Sequence, residues 1–157
     1  MKYRDYKVSM IRLSTKGRYG TRAMLELALS RDNGPVLLKE IAGRQGISIK
    51  YLEQIMPSLK SAGLVNSARG ASGGYFLARP SNSINIREIV EALEGPVKLT
   101  DCVGDDDICP DARLCVTRDL WDEVSGSISK LLGSRTLEDL AEKHREKQKS
   151  RPLMYSI

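Results

Sequence analysis

The sequence predicts a mainly α fold with one small β-hairpin: a winged helix-turn-helix domain followed by a long additional helix. Three observations predict it. A short apolar-periodic stretch, a glycine turn and a capped second stretch run from Leu38 to Leu59. Two strand-like runs around a glycine-rich loop come next, which is the order of a helix-turn-helix and its wing. The second half then carries an amphipathic stretch longer than so small a domain can cover by itself.

The elements follow in order. Leu13-Ser14-Thr15-Lys16 leads into a helix to about Ser30, with Tyr19, Ala23, Met24, Leu27 and Ala28 on one face, and Asn33-Gly34-Pro35 breaks it. A short helix from Leu38 to Gln45 turns Leu38, Ile41 and Ala42 inward. Gly46 makes a tight turn, and Ser48 caps a third helix whose buried stripe is Leu52, Ile55, Met56 and Leu59. Pro57 falls inside that helix, where it removes one backbone hydrogen bond. Gly63 ends it. Leu64-Val65-Asn66-Ser67 and Tyr75-Phe76-Leu77-Ala78 are the two strands, and Arg69-Gly70-Ala71-Ser72-Gly73-Gly74 joins them. Such a loop between strands does not suit a nucleotide phosphate, which needs a strand–loop–helix setting.

Asn85 with Glu88 forms a capping box for a helix to about Leu93, with Ile86, Ile89, Val90 and Leu93 inward. Gly95-Pro96 ends that helix. A long helix then runs from about Leu114 to Leu132, with Leu114, Trp121, Val124, Ile128, Leu131 and Leu132 near one stripe, and pairing with a second copy is the economical way to cover it. Thr136 and Asp139 cap a short helix, and beyond Glu142 the chain reads as a charged, frayed tail. The expected divisions are therefore an extension or tag at 1–11, a winged helix-turn-helix at 12–80, a connecting helix at 81–99, a cysteine loop at 100–115, a dimerisation helix with a short C-terminal helix at 114–142, and a flexible tail at 143–157.

Charge separates the two halves. Residues 1–80 hold 14 Lys or Arg against 5 Asp or Glu, a balance of +9, and residues 81–157 hold 11 against 15, a balance of −4. A basic half joined to an acidic one implies a polyanionic partner for the first half alone. No apolar run is long enough to span a membrane, and the charged N-terminus has no secretory core, so a cytoplasmic protein is expected. No nucleophile stands with a base, so an enzyme is not expected.

The acidic half contains all three cysteines, Cys102, Cys109 and Cys115, spaced C-x6-C-x5-C in one loop. An odd count excludes a closed disulfide framework. Thiols in the cytosol stay reduced, and three thiolates in a short loop suit iron–sulfur or zinc. Zinc prefers a fourth Cys or His nearby, and the sole histidine, His144, lies in the tail.

Several of these segments carry a resemblance. Arg12-Leu13-Ser14-Thr15-Lys16-Gly17-Arg18-Tyr19, Ile47-Ser48-Ile49-Lys50-Tyr51-Leu52-Glu53-Gln54-Ile55, Ala62-Gly63-Leu64-Val65, the loop from Arg69 to Tyr75 and the three cysteines together resemble the IscR/NsrR-type family of winged-helix regulators, from about Arg12 to Leu140. The resemblance implies a homodimeric transcription factor that binds a double-stranded DNA operator. It also implies an iron–sulfur cluster on Cys102, Cys109 and Cys115, 2Fe–2S ahead of 4Fe–4S, that reports iron–sulfur status, redox stress or nitric oxide. Iron–sulfur assembly proteins would then be the cluster donors, and repression of their genes the expected output.

The third helix would read bases with Ser48, Lys50, Tyr51, Glu53 and Gln54, near the end that reaches into the major groove. Gln54 suits adenine, Lys50 a guanine or a phosphate, and Glu53 discriminates by accepting from cytosine and repelling phosphates. Arg69 and Ser72 belong to the wing, with Arg69 aimed at a minor groove or the backbone. Arg12, Lys16, Arg18 and Lys60 would neutralise phosphates. At one place the chain departs from the resembled family: its best-known subgroup has a histidine three residues after the third cysteine, and Arg118 stands there. Nitric-oxide-sensing relatives use an aspartate of the partner's first helix, and the corresponding position is about Arg18. The fourth ligand is then one of Asp101, Asp105, Asp106, Asp107 and Asp111, a partner residue, or a solvent thiol. A nitric oxide or peroxide sensor of the same fold, a metal-free thiol switch and an electron-transfer protein are the alternatives.

Overall fold

The computed structural model describes residues 12–151, and the extension or tag expected at 1–11 lies outside them. Eight elements follow one another: α1 (Thr15–Leu29), α2 (Leu38–Gln45), α3 (Ile49–Ser61), β1 (Val65–Ala68), β2 (Gly74–Leu77), α4 (Ile86–Glu94), α5 (Val116–Gly133) and α6 (Leu137–Lys149). The architecture is the mainly α, winged helix-turn-helix fold the sequence predicts.

Local chemistry explains most of the boundaries. Ser14 and Ser48 accept from the backbone N–H groups of Gly17 and Tyr51, satisfying donors that the first turns of α1 and α3 would otherwise leave open. Gly46 ends α2 in the left-handed region at φ 63°, which gives the tight turn into α3. Pro57 sits within α3 on its exposed side, and the helix continues through it to Ser61. Capping boxes open α4 at Asn85 and Glu88, and α6 at Thr136 and Asp139.

One core unites these elements. Met24 and Leu27 of α1 meet Ile41 of α2, Leu52, Ile55, Met56 and Leu59 of α3, Ile89 of α4 and Leu137 of α6, all essentially without solvent contact. α6 is stitched back onto the start of α4, with Leu137 N–H donating to Ile84 O and Ile86 N–H to Arg135 O at 2.8 and 2.9 Å. The wing is anchored in the same way. Val36 and Tyr75 exchange both backbone hydrogen bonds at 2.8 Å, so the segment before α2 acts as a third rung beside the β1–β2 hairpin.

Three expectations need correction. The strands lie at Val65–Ala68 and Gly74–Leu77, one residue off, because Leu64 N–H closes the end of α3 by donating to Leu59 O. The chain does not fray at Glu142: α6 continues to Lys149, held by good helix formers, the Arg145–Glu138 ion pair at 2.9 Å and two lysines in its last turn. Residues 152–157 of the expected tail lie outside the described ones. Leu114 precedes α5, in a single turn at Ala112–Leu114, and is 86 % exposed instead of sharing the helix stripe.

On α5 only Ser125 is buried, while Leu120, Trp121 and Leu131 are exposed and Val124, Ile128 and Leu132 half-buried. Among the described residues no helix is long and apolar enough to cross a membrane.

Candidate nucleic-acid interface and metal centre

The solvent side of α3 carries Lys50, Glu53, Gln54 and Lys60, all exposed, with Ser48 exposed at its cap. These residues share a face because the opposite one is sealed by Leu52, Ile55, Met56 and Leu59. Tyr51 is only half exposed: its ring meets Tyr19 of α1 edge-on, with centroids 5.5 Å apart at 82°. That contact makes Tyr51 a brace between α1 and α3 first, whatever its hydroxyl reaches. Lys60 Nζ donates to Ser67 Oγ at 2.7 Å, which ties its cation to the root of the wing. Arg69 and Ser72 are exposed at the tip, where Gly70 turns at φ 99° and Gly73 N–H closes back on Gly70 O at 3.0 Å. Arg12 and Arg18 are exposed and Lys16 half-exposed about the start of α1. Arg18 donates to Thr15 Oγ1 at 3.3 Å, and its guanidinium carbon lies 5.8 Å from the Tyr19 ring centroid.

Two polar arrangements not read from the sequence hold this surface in place. Glu26 of α1, 7 % exposed, accepts from Gln45 Nε2 at 2.6 Å and from Arg44 Nη1 at 3.4 Å. Arg44 also donates to Ser30 Oγ at 3.1 Å, and Arg22 Nε to Gln45 Oε1 at 2.8 Å. The turn that aims α3 is thereby locked to α1. Glu94, the last residue of α4, accepts from the N–H groups of Ser14 and Gly17 at 2.9 and 3.1 Å, and from the Ser14 hydroxyl. A carboxylate there complements the positive end of α1. A buried Glu on an otherwise apolar face was the available signal for Glu26. Glu94 gave none, because its partners are 77 and 80 residues away.

The cysteine loop begins where Leu99 N–H donates to the buried Ser125 Oγ at 3.0 Å, and Val103 and Ala112 anchor it by burial. Its cysteines are free and half-exposed. Cys102 Sγ lies 3.1 Å from the Thr100 hydroxyl, and Cys115 Sγ 3.2 Å from that of Thr117. The Thr117 hydroxyl, with help from the Arg118 backbone N–H, pulls the Cys115 thiol below its usual pKa and favours the thiolate. Cys115 also occupies the N-cap position of α5.

Among the described residues no three Cys, His, Asp or Glu side chains stand together as a preformed metal site. Arg118 ties this loop together. Its side chain, 15 % exposed, reaches into the loop and donates through Nε to Cys102 O at 2.7 Å, through Nη1 to Ala112 O at 3.2 Å and through Nη2 to the Asp106 carboxylate. The donor set fits an iron–sulfur cluster in kind, with three free thiols.

With this geometry in hand, the chain matches, over residues 13–143, the family model described as Rrf2, iron-dependent transcriptional regulator. The chain belongs to the Rrf2 family. It is 44 % identical over 130 residues to the HTH-type transcriptional regulator IscR of Xenorhabdus nematophila, covering 83 % of this chain and 79 % of that protein. The solved structure of T. potens IscR superposes with a TM-score of 0.74 at 42 % identity, over 93 % of this chain and 97 % of that one. CymR of B. subtilis, titled a global cysteine regulator, gives 0.72 at 41 % identity over 85 % and 98 %. This member of the Rrf2 family is thus an IscR-like, DNA-binding transcriptional regulator.

Proposed function

We propose that the protein is a cytoplasmic homodimeric repressor whose DNA binding follows the state of an iron–sulfur cluster on Cys102, Cys109 and Cys115, and that it controls iron–sulfur assembly genes. The observation carrying this reading is the attachment of the cysteine loop to both working parts of the molecule. At one end Glu94, next to Gly95-Pro96, grips the start of α1 beside Arg12, Lys16 and Arg18. At the other, Cys115 caps α5, whose exposed Leu120, Trp121 and Leu131 suit the matching helix of a second copy. A shift of the loop therefore moves the DNA-facing helices and the dimer seam together.

On DNA, α3 presents Ser48, Lys50, Glu53 and Gln54 to base edges, Arg69 and Ser72 bring the wing to the backbone or minor groove, and Arg12, Lys16, Arg18 and Lys60 neutralise phosphates. Glu53 rejects sequences that would place a phosphate or an acceptor against it. The cluster, when bound, supplies the group that is sensitive to iron supply, oxidants and nitric oxide. Arg118 gives up its hold on the Cys102 and Ala112 carbonyls as the three thiols gather.

The test begins with selection of an operator from random duplexes, followed by affinities of the cluster-loaded and cluster-free dimer at one fixed salt concentration. A clear difference between the two forms is expected, and equal affinities would sink the proposal. A second reading, a metal-free thiol switch, is supported by three free, half-exposed thiols, of which Cys115 is biased toward the thiolate. It requires a disulfide in the oxidised protein and no iron uptake.

A further inference from the structure

In its first turn α3 has one exposed apolar side chain that the core does not employ. Ile49, its first residue, is 46 % exposed, whereas Leu52, Ile55, Met56 and Leu59 on the same helix are at 0 %. Its exposed neighbours are all polar: Ser48, Lys50 and, one turn on, Glu53. Folding covers such a group only in part and leaves nearly half of its surface in water. It is nonetheless held stiffly, since a β-branched side chain has little χ1 freedom. Ser48 caps the backbone on one side of it, Leu52 N–H donates to Ser48 O at 3.1 Å, and the Tyr19–Tyr51 contact braces the same turn against α1.

The N-terminal end of a recognition helix is the part that meets base edges. Only one apolar group is offered there by a base pair in the major groove, the 5-methyl of thymine. We propose that Ile49 packs on one thymine methyl in each half-site and so specifies T at that step, a role resting on the reading of α3 as the recognition helix. Lys50, Glu53 and Gln54 read donors and acceptors, and Ile49 adds the one feature they cannot sense. Cytosine at the same place removes the methyl and offers an unmatched amino group, so the pair T·A is separated from C·G.

The experiment replaces each thymine of the selected operator by deoxyuridine, one at a time, which deletes the methyl and nothing else. Wild-type protein is expected to lose about fourfold in affinity at one position per half-site, the factor for withdrawing one carbon from apolar contact. Ile49→Ala should bind the unmodified operator more weakly and show no further loss at that deoxyuridine, while Ile49→Val keeps part of the sensitivity. Alanine is a good helix former and Ile49 is outside the core, so the variant should fold. The wild-type scan stands without it in any case. No sensitive thymine, or a sensitivity undiminished in Ile49→Ala, would overturn the inference. Failure to enrich any DNA sequence would remove the DNA-binding reading itself, and this inference with it.

Discussion

At the scale of single residues, Arg118 decides how the cysteine loop is built. A guanidinium offers five donors in a fixed plane, and here three directions are used, toward two backbone carbonyls and one carboxylate. The Asp106 partner is 62 % exposed and adds little by itself, so the hold comes chiefly from the charged hydrogen bonds to Cys102 O and Ala112 O. Hydrogen bonds from a charged donor are the stronger kind. Arg118→Ala should therefore speed amide exchange across residues 102–114 by about 10- to 100-fold, while exchange in α1 and α3 stays as it was. Unchanged exchange in the loop would mean that burial of Val103 and Ala112 holds it without help. The sequence marks Arg118 as a departure from a ligand. That it clasps the loop was not legible, because two of its three partners are backbone atoms and carry no side-chain signature.

At the scale of elements, what was legible is what local chemistry decides. Ser48, the Asn85–Glu88 pair and the Thr136–Asp139 pair announce their helices because a cap needs only a residue and its neighbour three positions on. The wing depends on distant contacts and is blurred in the sequence by one residue. Gly74 is the clearest case. It sits at φ 138°, and a Cβ there would lie 2.5 Å from the Val36 carbonyl oxygen, a backbone atom fixed by the Val36–Tyr75 bridge. Gly74→Ala should combine backbone strain with that collision, lowering stability by about 2–4 kcal/mol in denaturant titration. A loss under about 0.5 kcal/mol would show that the bridge is dispensable. The length of α6 escaped for a related reason. Its charged surface looks like tail until Leu137 and Ala141 are seen seated in the core beneath it.

For the molecule as a whole, the unresolved balance lies between core and surface. α6 returns to close the core, and Glu138 fastens it: the Ser81 hydroxyl and then Arg145 hold the Glu138 carboxyl below its ordinary pKa of 4.5. A lowered folded pKa contributes stability that is complete above the unfolded value and is lost as pH falls through the folded one. Thermal melts of wild type and Glu138→Gln should accordingly differ at pH 7 and converge as pH drops below about 4.5. A gap independent of pH would assign the effect to packing. α5 is the opposite case, with Leu131 58 % exposed beside Leu120 and Trp121, a stripe that the described residues leave uncovered. Periodicity makes that stripe legible and a dimer its natural reading. The place of Arg118 in the cysteine loop was not legible, since cysteine spacing in sequence says nothing of which carbonyls a later side chain reaches.

Whether Cys102, Cys109 and Cys115 hold an iron–sulfur cluster that governs the regulator, as proposed, is decided by native mass spectrometry and visible absorption of the anaerobically purified protein. The expected result is a brown protein whose mass exceeds two chains by one cluster per subunit, with the excess lost in Cys102→Ser, Cys109→Ser and Cys115→Ser. A colourless dimer that takes up no iron or sulfide on reconstitution would contradict the claim and leave the thiol switch in its place.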